Sequence, residues 1–160
     1  MLDTLRALLL GEEEASDTRA PVDPKLAAAV LLVQASHVDG DVAADEDAML
    51  REILARRFSL DPGAVQALIA EARAEEREAV DLYAYTAVLK RELDEDGRLE
   101  IVEMLWRMAW ADGEIHAFED NLIWRVSELL GISSRDRVLA KREIGREMQA
   151  GDEDVTDVSG

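Results

Sequence analysis

The chain has 160 residues and a formal charge of −18, from 36 acidic and 18 basic residues; 48% are hydrophobic, 4% are aromatic, and none is cysteine. Such a length makes one domain, or two small halves sharing a core. The charge excludes a phosphate backbone or an anionic lipid surface as a preferred partner and favours a divalent cation or a basic protein surface, while the missing thiols exclude disulfides, thiolate zinc sites and cysteine nucleophiles and fit a reducing cytoplasm.

Met1 to Leu10 is mildly apolar but too short to span a bilayer. It lacks the basic start of a signal peptide, and Glu12 to Glu14 follow it. Residues 1–22 therefore read as a short surface helix and a polar linker. Asp23-Pro24 opens the first long helix, with aspartate as N-cap and proline at the first helical position. Leu26 to Val38 is apolar almost all round, the mark of a helix buried on most faces. Asp39-Gly40 ends it.

A helix from about Ala44 to Phe58 follows, with Met49, Leu50, Ile53 and Leu54 as its inner stripe and Arg51, Glu52 and Arg56 facing water. Asp61-Pro62 starts another, carrying Val65, Leu68, Ile69 and Ala72. Glu75 to Glu78 is a charged break or a solvated helical stretch. A helix from about Ala79 to Leu93 presents Leu82, Tyr83, Thr86 and Leu89. Leu99 to Ala111 is again apolar nearly all round. Beyond Asp112-Gly113, a helix from about Ile115 to Leu130 presents Phe118, Leu122, Ile123, Val126 and Leu129, and Gly131 sits where a left-handed C-cap belongs. Ser133 or Ser134 caps a last helix carrying Val138, Ile144 and Met148. The acidic tail, 150–160, is expected to be disordered.

One acidic phrase occurs twice. His37-Val38-Asp39-Gly40-Asp41-Val42-Ala43-Ala44-Asp45-Glu46-Asp47 returns as Trp110-Ala111-Asp112-Gly113-Glu114-Ile115-His116-Ala117-Phe118-Glu119-Asp120, 73 residues on (Asp39 to Asp112). Each copy follows a buried helix and opens an amphipathic one. Neither half covers its own buried helix, so the two apolar helices should pack side by side at the centre, related by a pseudo-two-fold. The expected architecture is all-α: a single-domain bundle of seven to eight helices over residues 23–149, in halves of about 23–75 and 79–149.

The pattern Asp-Gly-x-aliphatic-x-x-x-Glu, between an apolar and an amphipathic helix, resembles the TerB family of tellurite-resistance proteins. The resemblance covers about Asp23 to Arg146 and is strongest at Ala35 to Ile53 and Leu105 to Leu130. It implies an all-helical fold of two similar halves, a role in stress response, divalent-cation binding through acidic residues, and no enzymatic activity. Carried over position by position, it implies one site of Asp39, Asp41 and Glu46 and another of Asp112, Glu114 and Glu119. Ala43 and His116 stand where the family often has a good N-cap, so the two copies are expected to differ in affinity.

The chemistry of the residues points the same way. Oxygen-rich clusters suit hard cations such as Ca²⁺ or Mg²⁺, and glycine lets the chain turn sharply enough for carboxylates to converge. Two carboxylates about 6 Å apart at an effective dielectric of about 20 repel by roughly 3 kcal/mol, which a cation, a basic neighbour or a raised pKa must relieve. The plainer reading is a helix-terminating turn whose Glu46 and Glu119 complement helix dipoles.

A second acidic stretch competes. Glu92 to Glu103 places Asp94, Asp96, Gly97, Leu99 and Glu103 at EF-hand positions, but Glu92 stands where aspartate is nearly required. An acidic helix-helix connection is the preferred reading. His37 reads as a packed or capping residue. His116 reads as a surface imidazole that could join a transition-metal site. Trp106, Trp110 and Trp124 read as core and groove lining.

Three functions fit this sequence. The first is a non-enzymatic, cytoplasmic TerB-like stress-response domain that binds divalent cations and docks a partner with a basic surface, touching membranes only indirectly if at all. The second is a metal-independent acidic interaction module. The third is a metal-dependent hydrolase, against which no nucleophile-base pair accompanies the carboxylates.

Overall fold

Helix capping divides this chain. In the computed structural model, which describes residues 22–36, 43–77, 81–111 and 113–158, Asp23 Oδ1 accepts the Lys25 N–H at 2.9 Å and Pro24 occupies the first turn. Helix α1, Pro24–Ala35, follows. It closes on Ser36, whose N–H donates to Leu32 O at 2.9 Å and whose hydroxyl donates to Val33 O at 2.7 Å. Ala27 to Leu31 have no exposure at all. A helix with small and aliphatic residues on every side can be approached from every side, and α1 packs against five others, as described below.

Helix α2 is Ala43–Phe58 and α3 is Pro62–Arg77. Leu50, Ile53 and Leu54 are buried, whereas Met49 is only partly so. Ser59, at φ 53°, turns the chain between them, and Asp61 Oδ1 caps α3 through the Ala64 N–H at 2.8 Å. Glu75 and Glu76 belong to α3 rather than to a break.

Helix α4 is Leu82–Glu92, α5 is Glu95–Ala109, α6 is Ala117–Leu130 and α7 is Ser134–Val158. Asp81 caps α4 through the N–H groups of Tyr83 and Ala84. Its buried face is Leu82, Tyr85, Thr86 and Leu89. Tyr83 was expected inside but is 70% exposed, because Leu82 already holds the inward position at that level. Tyr85 takes the inner place, and its hydroxyl donates to Glu75 Oε2 at 2.8 Å. Phe118 also corrects the expectation: at the start of α6 it is 53% exposed, while Leu122, Ile123 and Val126 are buried.

Gly131 ends α6 at φ 76°, with the Ile132 N–H reaching back to Ser127 O at 2.9 Å. This is the left-handed C-cap expected there. Ser133 Oγ then accepts the Asp136 N–H at 3.1 Å and opens α7. That helix continues to Val158, through most of the tail expected to be disordered. Extending a formed helix costs no new nucleation, which is why a polar stretch can continue one. The expected N-terminal helix, in residues 1–21, lies outside the described residues.

Among the described residues the fold is all-α, with seven helices and no strand, and no helix is long and apolar enough to cross a membrane. Helix α1 packs on α2, α3, α4, α5 and α6; α5 packs on α1, α2, α6 and α7. The two apolar helices are thus the centre of the bundle, as expected. Neighbour relations also recur: α1 with α2 and α3, and α2 with α3, match α5 with α6 and α7, and α6 with α7. The acidic phrases lead out of α1 and α5 into α2 and α6.

Candidate functional site

The two carboxylates that the repeat places in equivalent first turns are both buried: Glu46 is 5% exposed and Glu119 is 3%. Burying a carboxylate is costly unless it is hydrogen-bonded or paired. Both carboxylates are engaged, and for Glu119 the partner is a backbone N–H. Its Oε2 accepts the His116 N–H at 3.0 Å, the backward arm of a capping box at the N-terminus of α6. The helix dipole adds roughly 0.3–1 kcal/mol in favour of a negative charge there. His116 itself is the N-cap residue and its side chain is exposed.

Gly113 shows why the turn needs glycine. Its φ is 87°, in the left-handed region, and a Cβ would meet nothing within 4 Å. Backbone conformation, not space, therefore selects glycine here. The Gly113 N–H donates to Trp110 O at 2.8 Å and closes the turn. Glu114 follows on the surface.

Of the six candidate ligands, Glu46, Glu114 and Glu119 are therefore placed, and two of them are buried at matching positions. Asp39, Asp41 and Asp112 lie outside the described residues, as does His37. Among the described residues, no group of three or more His, Asp or Glu side chains is arranged to hold a metal ion. The donor chemistry of both candidate sets is all-carboxylate and fits a hard divalent cation.

Two further acids in the repeat have a role that spacing alone did not reveal. Asp47 meets Arg51 at 3.1 Å and Arg73 at 2.6 Å, tying α2 to α3. Its equivalent, Asp120, accepts from Lys141 Nζ at 2.9 Å, tying α6 to α7. The last acid of each phrase is a strut between helices. Both partners lie far along the chain, so only the alternation of acid and base on neighbouring helices could have pointed to them.

The EF-hand alignment does not survive as a loop. Asp94 is the N-cap of α5, its Oδ1 accepting the Gly97 N–H at 2.8 Å, and Asp96, Gly97, Leu99 and Glu103 are all helical. An aspartate three residues before a glycine suits a cap as well as a calcium loop, and the cap prevails because the apolar stripe of α5 begins immediately. The preferred reading, an acidic connection between helices, describes the segment.

Glu103 is a different kind of acid. It is partly buried on α5 among Glu100, Glu143 and Glu147, with Arg107 nearby. Burial raises its pKa above the ordinary glutamate value; Arg107 opposes the rise and the three carboxylates reinforce it. Arg107 is shared, since its Nη2 meets Glu147 at 3.2 Å. A carboxyl whose folded pKa is raised binds its proton more tightly in the folded state than in the unfolded state. It therefore opposes folding at neutral pH, and that penalty is lifted as pH falls through its folded pKa. Glu103→Gln should raise the melting temperature at pH 7, and the gain should shrink as pH falls through that pKa; thermal melts of both proteins across pH check this.

The tryptophans divide as lining residues do. Trp106 is 1% exposed and Trp124 is 46% exposed. Trp110 is intermediate, its ring lying so close to Gly145 that an added Cβ would stand 3.3 Å from Cζ2.

A family model described as Tellurite resistance protein TerB matches residues 25–142. Comparison with curated proteins and with solved structures gives no match. With that match running from α1 into α7 of an all-helical bundle, the chain belongs to the TerB family, a non-catalytic stress-response domain.

Proposed function

We propose that this domain works by binding divalent cations at its two acidic turns and by docking a protein with a basic surface, without catalysing a reaction. The observation that carries the reading is the matched pair Glu46 and Glu119, both buried at the same position of a repeated phrase. Each lies beside a turn that holds at least two more carboxylates in sequence. Collecting three acids around one turn is unfavourable without a counter-charge, by roughly 3 kcal/mol for each pair about 6 Å apart. Ca²⁺ or Mg²⁺ would supply that charge. Asp39 and Asp41 with Glu46 would hold one ion, and Asp112 and Glu114 with Glu119 the other. A cation held this way would tie α1 to α2 and α5 to α6.

The recurrence of neighbour relations between α1–α3 and α5–α7 supports a duplicated origin with two halves about a pseudo-two-fold. The same duplication explains why there would be two sites. A cytoplasmic setting fits a chain without cysteine.

A metal-independent module is the second reading, and one bond favours it: Glu119 Oε2 is already engaged by the His116 N–H. The two are separated by titrating calcium into chelator-treated protein and following amide signals by NMR. Specific binding shifts the signals of residues 39–47 and 112–120 in a saturable way. Uniform small shifts over the whole surface, reproduced by sodium, would favour the metal-free module.

A further inference from the structure

Although the chain carries a net charge of −18, one stripe of α7 is basic, with Glu143 and Glu147 exposed to one side of it. Arg135, Leu139, Arg142 and Arg146 are exposed and spaced four, three and four residues apart, which sets them on one stripe of the helix. Of the other basic residues of α7, Lys141 Nζ bonds Asp120 at 2.9 Å and lies 5.2 Å from the Trp106 ring, and Arg137 is partly buried, its backbone carbonyl accepting the Trp106 indole N–H at 3.2 Å. The three stripe arginines make none of the ion pairs formed among the described residues. In a chain with twice as many acids as bases, arginines left unpaired on one face are unusual.

Apolar surface gathers beside them. Leu139 is 48% exposed, Val138 is 37% and Trp124 is 46%. The Lys141–Asp120 bond fixes how α6 and α7 lie together. Trp124 is one turn from Asp120 and Val138 one turn from Lys141, both toward the connecting Gly131-Ile132-Ser133. Leu139 lies within the arginine stripe and Val138 is its neighbour on α7, so the exposed apolar residues of this helix adjoin the guanidinium groups.

We infer that this face of α7 docks an acid-rich amphipathic helix of another protein. Guanidinium groups bind carboxylates bidentately, and Leu139 between them asks for an apolar residue opposite. From Arg135 to Arg146 the stripe is roughly 16 Å long, three turns of helix. A partner helix with acids at four-, three- and four-residue intervals would match it. A second copy brings the whole charge of −18 and a membrane brings an extended anionic surface, whereas a short helix meets only the arginine stripe, and salt screens the charges beyond it. The face is separate from the acidic turns, and it would take a partner of opposite sign to theirs.

The test uses the full chain in chelator, so that its outcome is independent of cation binding. The probe is a synthetic helical peptide of about 14 residues with glutamates at that spacing and leucines flanking them. It should bind, shift the amide signals of Leu139, Arg142 and the Trp124 indole, and weaken with salt. Arg142→Glu with Arg146→Glu should weaken binding roughly tenfold or more without lowering the melting temperature. If the reversal does lower it, the neutral pair Arg142→Gln with Arg146→Gln must still weaken binding. The inference is overturned if the peptide does not bind, if its shifts map to another face, if both variants bind as well as wild type, or if vesicles of anionic phospholipid bind the chain while the peptide does not.

Discussion

Trp106→Ala should destabilise the protein by about 3–5 kcal/mol, the range for removing a large aromatic side chain from a well-packed core. Trp106 sits on α5, the apolar helix of the second half, and is only 1% exposed. Its indole N–H reaches Arg137 O on α7 at 3.2 Å, and Lys141 Nζ lies 5.2 Å from its ring. Removing it opens a cavity between α5 and α7 and deletes a hydrogen bond and a cation–π contact together. With a stability of roughly 5–15 kcal/mol to lose from, the melting temperature should fall by on the order of 10 °C. Trp124→Ala, at a position 46% exposed, should change stability by only about 0.5 kcal/mol. Thermal melts of the two variants check the contrast; equal losses would mean that Trp106 does not join α5 to α7 as described.

The second large effect is expected from ions. A ligand at about 100 times its dissociation constant that binds only the folded state adds about 2.7 kcal/mol for one site. Two occupied turns would add to this, and the acid repulsion they relieve is part of the same gain. Screening alone also steadies a chain of charge −18, so calcium must be compared with sodium at equal ionic strength. Calcium should raise the melting temperature well above the sodium value, and the excess should saturate. Equal rises with the two salts would reduce the effect to screening.

Much of the fold was legible because its signals are local. Asp23-Pro24, Asp61-Pro62 and Gly131 each mark a helix boundary through their own backbone chemistry. Each boundary stands where those residues place it. The apolar character of Leu26 to Val38 and of Leu99 to Ala111 announced central helices, and α1 and α5 are those helices, although Leu99, Glu103, Arg107 and Trp110 stay partly exposed. What failed were choices between adjacent positions. Tyr83 and Tyr85 are both aromatic on one short helix, and only packing against α3, through Glu75, decides which goes inside. Phe118 fits the apolar period of α6 but lies in its first turn, where the core no longer covers it. Asp94 and Gly97 were no failure: their spacing serves a cap and a calcium loop equally well, and the helix connection preferred from the sequence is what forms.

The site was legible in part, for a related reason. Repetition singled out Glu46 and Glu119 as equivalent acids, but their burial depends on how α2 and α6 meet the central helices, and spacing carries no such information. Asp47 and Asp120 close the same two acidic phrases. Their partners Arg73 and Lys141 lie 26 and 21 residues further on, so their work as struts emerges only in three dimensions.

The central claim is that Asp39 and Asp112, in the two acidic phrases, hold cations, and the most direct measurement is a calcium-binding isotherm of chelator-treated wild type beside the Asp39→Ala, Asp112→Ala double variant. Both positions read as helix-ending turns in the sequence, so the variant is expected to keep its helical spectrum. Wild type should bind two ions and the double variant should lose both. If the double variant binds calcium with wild-type stoichiometry and affinity, the two acidic turns are not the cation sites.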